Sequence, residues 1–575
     1  MTNKHKKKAA KAKEPISLLQ LPQHVLAMTL TYLSDVEVHQ VRQINRFCRD
    51  LVDQTRHLSY WFTAAVETMK MAIVKSADPL ATLVEHADVA KRYGKCIEID
   101  ATRVTTDMLE RHDDALAKHG VTYGLTGDVT RLDLENVAHI VSISLCAVKR
   151  AVLYFPFDAL PNRLNTLRLE SCQFTDLPDL THLEHLQHLD LKDNRLRRVD
   201  GRRFPISLKT LSLSMNRLER FERVYKLVAL EELDSSSNQP FFPIDHDFYM
   251  LKKLRRIDIS YTYYNQAEMV IEELACQRQF DVDNLRLPLC IEEILANYCP
   301  WLGGLGDRMH NFVALKRLEL DKCFFFDSYI VSGLLPSTME HLVCPDVEGP
   351  IFVDLLPQLE FLVIENDFLE DGMTVPTSLR NLQLKATDMP DLSLLQGIDN
   401  LTHLTLCGCN MTDFSNVTLP RNLYHLCINS SRLASIRHVA FPPTLKQLDL
   451  FDNRLTEVPS TLPVHLAHLN LTRNKISNVN FAALPPFLTR LSLSENRLTS
   501  VRGVEHLCGL KQFLIASNRL TVLDVTFPAT LIRLVISDNP LTSVRNTWLP
   551  STLMVLNASP PAANVFRRMG FEPLP

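Results

Sequence analysis

The side chains best equipped for chemistry are histidines and cysteines that recur at matching places in a repeating pattern. His188, His341, His403, His425 and His468 share one outward position. His403 and His425 belong to neighbouring copies, and Cys407 and Cys427 fall on the same face. Two imidazoles and two thiols are zinc-compatible donors. No zinc-binding spacing accompanies them, so they read as surface imidazoles, and no metal or cofactor is expected. The sequence holds no GxxxxGK[ST] loop, no GxGxxG strand–helix unit, no HExxH and no GxSxG nucleophile elbow. No catalytic residue is assigned, and the chain is expected to bind rather than to catalyse.

Carboxylates supply a second set. The residue between two closely spaced leucines is Asp190, Ser212, Asp234, Asp258 and Glu319 in early copies of the pattern. In later copies it is Val343, Val363, Gln383, Thr405 and Cys427. Arg256 and Arg317 stand two residues before Asp258 and Glu319. Asp190, Asp234, Asp258, Glu319, Arg256 and Arg317 are therefore the candidate residues for binding a protein target. An acidic early face suits a basic segment of that target.

The elements that place these residues follow from the spacing. Leu186, Leu189, Leu191, Asn194 and Leu196 fit Leu-x-x-Leu-x-Leu-x-x-Asn/Cys-x-Leu, and Leu208, Leu211, Leu213, Asn216 and Leu218 repeat it. The pattern returns over Leu445–Leu455, Leu466–Ile476, Leu488–Leu498, Leu510–Leu520 and Leu531–Leu541. Weaker copies start at Leu164, Leu230, Leu254, Val282, Leu315, Met339, Leu359, Leu379, Leu401, Leu423 and Leu553. Strands around Ile97–Ile99 and Leu132–Leu134 are expected to begin the array. This is the leucine-rich-repeat signature.

Leu-x-Leu alternation makes a short strand with its apolar side inward. The Asn turns inward to satisfy backbone, and Cys172, Cys290, Cys323 and Cys409 are expected to replace it. About eleven residues remain for each return, too few for a long helix with its turns, so the convex side should be mostly 3₁₀ or polyproline. Pro161, Pro205, Pro336, Pro376, Pro420, Pro442, Pro463, Pro485, Pro528 and Pro550 each precede a first Leu or Met by three residues. Proline fixes φ and cannot donate to a ladder, which suits an extended segment feeding a strand. Residues 263–314 break step. One degenerate repeat at Val282–Cys290 and a helix at Ile291–Tyr298 are expected there, within either a longer helical repeat or a functional insertion.

The fold class is thus an α/β solenoid. A small N-terminal helical module is followed by a leucine-rich-repeat horseshoe with parallel concave strands. The expected divisions are a disordered Lys-rich tail (1–15), a helical module (16–62), a helical linker (63–93), degenerate first repeats (94–163), leucine-rich repeats (164–262), the irregular stretch (263–314), further repeats (315–565) and a C-terminal tail (566–575). Strands about 4.8 Å apart would line up roughly 85 Å of inner arc, a length that suits a protein better than a metabolite.

Length and composition agree. A chain of 575 residues exceeds one ordinary core, whereas a repeat array grows without that limit. The net charge of −4 gives no nucleic-acid footprint. No apolar run reaches the roughly 18 residues of a membrane span. A Lys-rich start without an apolar stretch behind it is not a secretory signal. The cysteines are therefore expected to be reduced, in a cytoplasmic or nuclear protein. Lys4, Lys6, Lys7, Lys8, Lys11 and Lys13 form a solvated tail or a nuclear import signal.

Residues 16–61 read as a compact helical unit. Pro22 follows Leu21 at a first helical position, and Leu26, Leu30 and Leu33 share one face. Ser34 and Glu37 form a capping box for a second helix carrying Val38, Val41 and Ile44. The run from Leu21 to Leu51 resembles an F-box: Leu-Pro, a helix ending in Tyr32-Leu33-Ser34, then Val41-Arg42 and Arg46. Cys48 stands where Trp or Phe is common in that family, which weakens one packing contact. An F-box beside leucine-rich repeats resembles the substrate receptors of SCF-type cullin ubiquitin ligases. The resemblance implies that Leu21, Pro22, Leu26, Leu30, Leu33, Val41 and Ile44 meet a Skp-type adaptor, which joins the chain to a cullin, while the repeats hold a protein substrate. From charge and the lack of a long apolar run, no nucleic acid and no membrane are expected as partners. Two readings compete. One is a scaffold or regulatory repeat protein, similar to the leucine-rich regulators of Ser/Thr phosphatases. The other is a bacterial effector whose repeats precede a ligase domain.

Overall fold

A computed structural model describes residues 69–571 except 94–95, 120, 135–136, 138, 147–154, 156, 239–247, 262–286, 300–310, 322–334, 346–355, 369–374, 389–391, 415–416, 438, 561 and 569. The F-box-like residues Leu21, Pro22, Leu26, Leu30, Leu33, Val41 and Ile44, the lysine tail, Cys48, Val282 and Cys323 lie outside the described residues. Two compact units divide the rest. One comprises the chain up to Cys172 with Leu183–Leu186, the other Gln173–His182 with Gln187 onward.

In the first unit, helices Pro79–Glu85 and Ala87–Tyr93 pack on helix Thr106–His119. Asp78 caps the first of them by accepting from the Ala81 N–H at 3.0 Å. Four parallel strands follow: Ile97–Asp100, Tyr123–Thr126, Ile140–Cys146 and Thr166–Glu170. The second strand is Tyr123–Thr126, while Leu132–Leu134 lies in a loop, contrary to the sequence expectation. The return between the first two strands is a full α-helix of 14 residues, Thr106–His119. Its buried side reads Leu109, Asp113, Leu116, so a carboxylate interrupts the apolar spacing that would have announced it. Asp113 is held by the Tyr123 hydroxyl at 3.1 Å and by His139 Nδ1 at 2.8 Å. This tie fastens the helix to the strands.

In the second unit the Leu-x-Leu strands pair from one repeat to the next in parallel register, while Arg198–Asp200 with Arg220–Glu222 and Val522–Leu523 with Ser543–Val544 form two separate short pairs. The ladder runs from His188–Asp190 through Thr210–Ser212, Glu232–Asp234, Arg256–Asp258 and Glu293–Leu295, and continues to Val555–Asn557. Helix Ile291–Tyr298 is not formed. Glu293–Leu295 is instead a strand, between Arg256–Asp258 and Arg317–Glu319. The repeat there runs on Ile291, Ile294, Ala296 and Cys299, all fully buried. Two inward isoleucines and an alanine had replaced leucine and hidden the register. Cys290 sits in the preceding turn, and Cys299 takes the inward place, donating its Sγ–H to the Ile259 carbonyl at 2.9 Å. Cys172 and Cys409 are buried as expected.

The prolines do a different job from feeding an extended segment. In each Pro-bearing repeat the first Leu or Met donates its N–H back to the Pro carbonyl, as in Leu488 to Pro485 at 3.2 Å and Leu466 to Pro463 at 3.0 Å. Proline thus opens a four-residue turn, where its missing N–H costs nothing. Repeats without it close the same turn on Leu183, Leu227, Leu251 or Leu507. The returns are short 3₁₀ turns, such as Gly201–Arg203, Val224–Lys226, Phe481–Ala483 and Val504–His506, as the eleven-residue allowance predicts.

Asparagine ends the strands. Asn496 accepts from the Ile476 N–H at 3.0 Å and donates to the carbonyls of Leu471, Leu493 and Ser494. Asn194, Asn216, Asn238, Asn453, Asn474, Asn518 and Asn539 do the same in their repeats. The residue before each Asn is left-handed, with φ 54–57° at Asp193, Met215, Arg473 and Glu495. Strands in these repeats are therefore three residues long. Where the Asn is lacking, Phe361–Phe368 and Asn381–Asp388 extend to eight.

Candidate functional site

Counting the first Leu of a repeat as position one, the second, third and fifth residues lie on the open strand face. The fifth-position acids have a local backbone task. Asp190, Asp234 and Asp258 each accept the N–H of the residue two further on, Lys192, Ser236 and Ser260, at 3.0 Å. Asp449 does so for Phe451. This Asx-type bend finishes a short strand and gives Asp a reason to recur there. Burial, with Asp234 beside it, holds the Asp258 carboxyl above the usual carboxylate range.

Over four successive strands of the first half the second and third positions alternate in sign: Glu231 and Glu232, Arg255 and Arg256, Glu292 and Glu293, Lys316 and Arg317. Arg255 and Lys316 both reach Glu292, at 3.1 and 3.3 Å, and Arg256 pairs with Glu293 at 2.9 Å. Arg380 meets Glu360 at 3.3 Å. Opposite charges on directly facing strands are the favourable arrangement in a sheet. Glu319 is the most engaged acid. Arg317 is at 2.5 Å, His341 at 3.2 Å and Asn297 Nδ2 at 3.0 Å. The His341 imidazole at that distance, with Asn297 and Arg317, brings its carboxyl down to about 2 against the opposing effect of burial. His341 in turn stacks flat on Phe361, with centroids 4.0 Å apart. Arg256, Arg317 and Glu319 are thus brought into one ion-paired tract, while Asp190 and Asp234 lie on earlier strands.

The second half has another character. Its third-position row, aligned by the ladder, reads His403, His425, Gln447, His468, Arg490, Gln512 and Arg533. It contains no acid. Lys446 and Lys511 lie at second positions. These strands form a groove of about 520 Å³ bounded by His425, Asp449, His468, Arg490 and Arg533. The histidines of this row recur at one outward position in the sequence, and Arg490 and Arg533 continue it where no histidine marks it.

His403 and His425 meet edge to face at 5.7 Å. Burial, then His403, holds His425 below the usual imidazole range. Cys427 is buried, its thiol pushed up to about 12. Among the described residues no three His, Cys, Asp or Glu side chains converge as a metal ion requires. No described helix is long and apolar enough to cross a membrane.

No protein-family model and no curated protein matches this chain. Solved structures do. YopM from Yersinia enterocolitica is 21% identical, with a TM-score of 0.43, over 70% of this chain and 88% of its own. A leucine-rich-repeat protein of Leptospira interrogans is 18% identical, with a TM-score of 0.36, over 86% of this chain and 97% of its own. The functional domain of InlJ from Listeria monocytogenes is 16% identical, with a TM-score of 0.37, over 70% and 72%. By its own repeat spacing, its parallel ladder and its inward asparagines, this chain folds as a leucine-rich-repeat solenoid.

Proposed function

We propose that this chain is the non-catalytic substrate-recognition subunit of an SCF-type ubiquitin ligase. The observation that carries the binding half is the unbroken parallel ladder from His188 to Asn557, which presents side chains in straight rows on one open face. Such a face matches an extended protein surface rather than a small molecule. The ligase half rests on the resemblance of residues 16–61 to an F-box. Leu21, Pro22, Leu26, Leu30, Leu33, Val41 and Ile44 dock on a Skp-type adaptor and through it on a cullin. The repeats then hold the substrate within reach of the ubiquitin-conjugating enzyme. The gain in rate is one of effective concentration, with no reacting group from this chain.

Affinity purification of the full-length chain against a deletion of residues 16–61 tests this. Adaptor and cullin are expected with the full chain and absent from the deletion, which retains the substrate. Full-length chain that captures no adaptor refutes the ligase role and leaves a binding scaffold or regulator. A basic segment of the substrate is proposed to meet Asp190, Asp234 and Asp258. Asp234→Lys with Asp258→Lys then weakens substrate capture, more so at low salt; unchanged capture rejects that contact.

A further inference from the structure

We propose that the strand face of the C-terminal repeats seats an extended, carboxylate-bearing segment of the partner protein, with Arg490 and Arg533 each taking one carboxylate. The inference deepens the binding role proposed above and rests on it.

The argument is one of uncompensated charge in a groove. Among second, third and fifth positions from Leu401 onward, Lys446, Arg490, Lys511 and Arg533 stand against one acid, Asp449. None of those four cations forms an ion pair among the described residues, in contrast to the paired arginines and glutamates of the first half. Asp449 keeps its single charge but forms no ion pair with them among the described residues; both its oxygens accept from Asn470 Nδ2, at 3.0 and 3.1 Å, and one charge offsets at most one of the four. Arg490 and Arg533 are exposed on the wall of the 520 Å³ groove. The Arg490 Nε–H is committed to Gln512 Oε1 at 3.0 Å. That bond fixes the guanidinium plane and leaves its two terminal nitrogens for a bidentate carboxylate.

The spacing selects the ligand. Arg490 and Arg533 lie two strands apart, about 10 Å at the usual interstrand distance. Three residues of a peptide extended as a polyproline II helix make one turn and rise about 9 Å, so side chains i and i+3 face the same way at that separation. One cation per anion at that separation suits carboxylates on residues i and i+3. A phosphate dianion favours several converging donors, and here they do not converge.

The test uses full-length protein and a fluorescein-labelled 12-residue Gly/Ser peptide bearing Glu at every third position, followed by anisotropy. Arg490→Ser with Arg533→Ser is expected to raise Kd at least tenfold. Arg497→Ser with Arg519→Ser removes the same charge from exposed positions outside the groove and should raise it less than twofold. Unchanged melting of both variants excludes misfolding. The proposal is overturned if the two pairs weaken binding equally, or if an all-Ser peptide binds as well. Binding of a phosphoserine peptide without the Glu peptide also overturns it, as does an oligonucleotide binding more tightly through the same two arginines. Adaptor capture by the Arg490/Arg533 variant reads the ligase role separately, so either idea can fail alone.

Discussion

Replacing Asn496 by Ala removes a side chain that touches two repeats, and the ladder says which groups are left without partners. The Leu471 carbonyl still accepts from Asn474 Nδ2 at 3.1 Å, and the Leu493 carbonyl from Asn518 Nδ2 at 2.9 Å. The Ser494 carbonyl keeps the Arg473 N–H. The Ile476 N–H, whose acceptor is Asn496 Oδ1, is the group orphaned in a buried place. An unsatisfied buried amide together with the lost hydrogen bonds costs about 2–4 kcal/mol. Arg497→Ala, one residue on and exposed, should stay within about 0.5 kcal/mol. Urea unfolding of the two variants gives the difference. Hydrogen exchange locates it, with the Ile476 amide losing protection while repeats several turns away keep theirs, as expected of nearest-neighbour coupling. Equal stability of the two variants, or unchanged protection at Ile476, would refute the assignment of Asn as the strand-ending bridge.

Two further outcomes follow from local geometry. The Glu319 carboxyl is held down to about 2 in the folded chain against an ordinary value of 4.5, so it stabilises above pH 4.5 and loses that contribution as pH falls toward 2. Wild type should therefore exceed Glu319→Gln in stability at neutral pH, with the gap closing below pH 4.5, as read by pH-dependent denaturation; a gap independent of pH would remove the ion-pair account. A Cβ on Gly201 would lie 2.4 Å from the Arg223 carbonyl oxygen, a backbone atom that cannot swing aside. Gly201→Ala is thus expected to cost about 1–3 kcal/mol by overpacking, and an unchanged melting temperature would contradict that close approach.

The repeat register was legible because leucine at fixed spacing is forced by burial, and the short returns followed from simple length. What escaped the sequence was set by context. Ile291, Ile294 and Ala296 fill the inward places as well as leucine does, but they read as one turn of helix beside Glu292 and Glu293. Asp113 broke the apolar side of helix Thr106–His119 because its partners, Tyr123 and His139, come from later in the chain. Asp190, Asp234 and Asp258 were legible as outward acids. Their bend-forming hydrogen bonds depend on backbone direction, which composition does not encode. The cationic row from Arg490 to Arg533 emerges once partners on neighbouring strands are known, since arginines of the first half look the same in sequence and are paired.

The inward asparagines also bear on how such a chain changes length over generations. Each satisfies an amide one repeat behind it and leaves its own repeat's amide to the asparagine one repeat ahead. Copying one whole unit between Leu445 and Leu541 therefore adds as many buried donors as acceptors. An insertion of a few residues would not. Genetic slippage in this stretch is accordingly filtered into whole-repeat steps, and each accepted step adds another side chain to every row of the face without disturbing the alignment of the others.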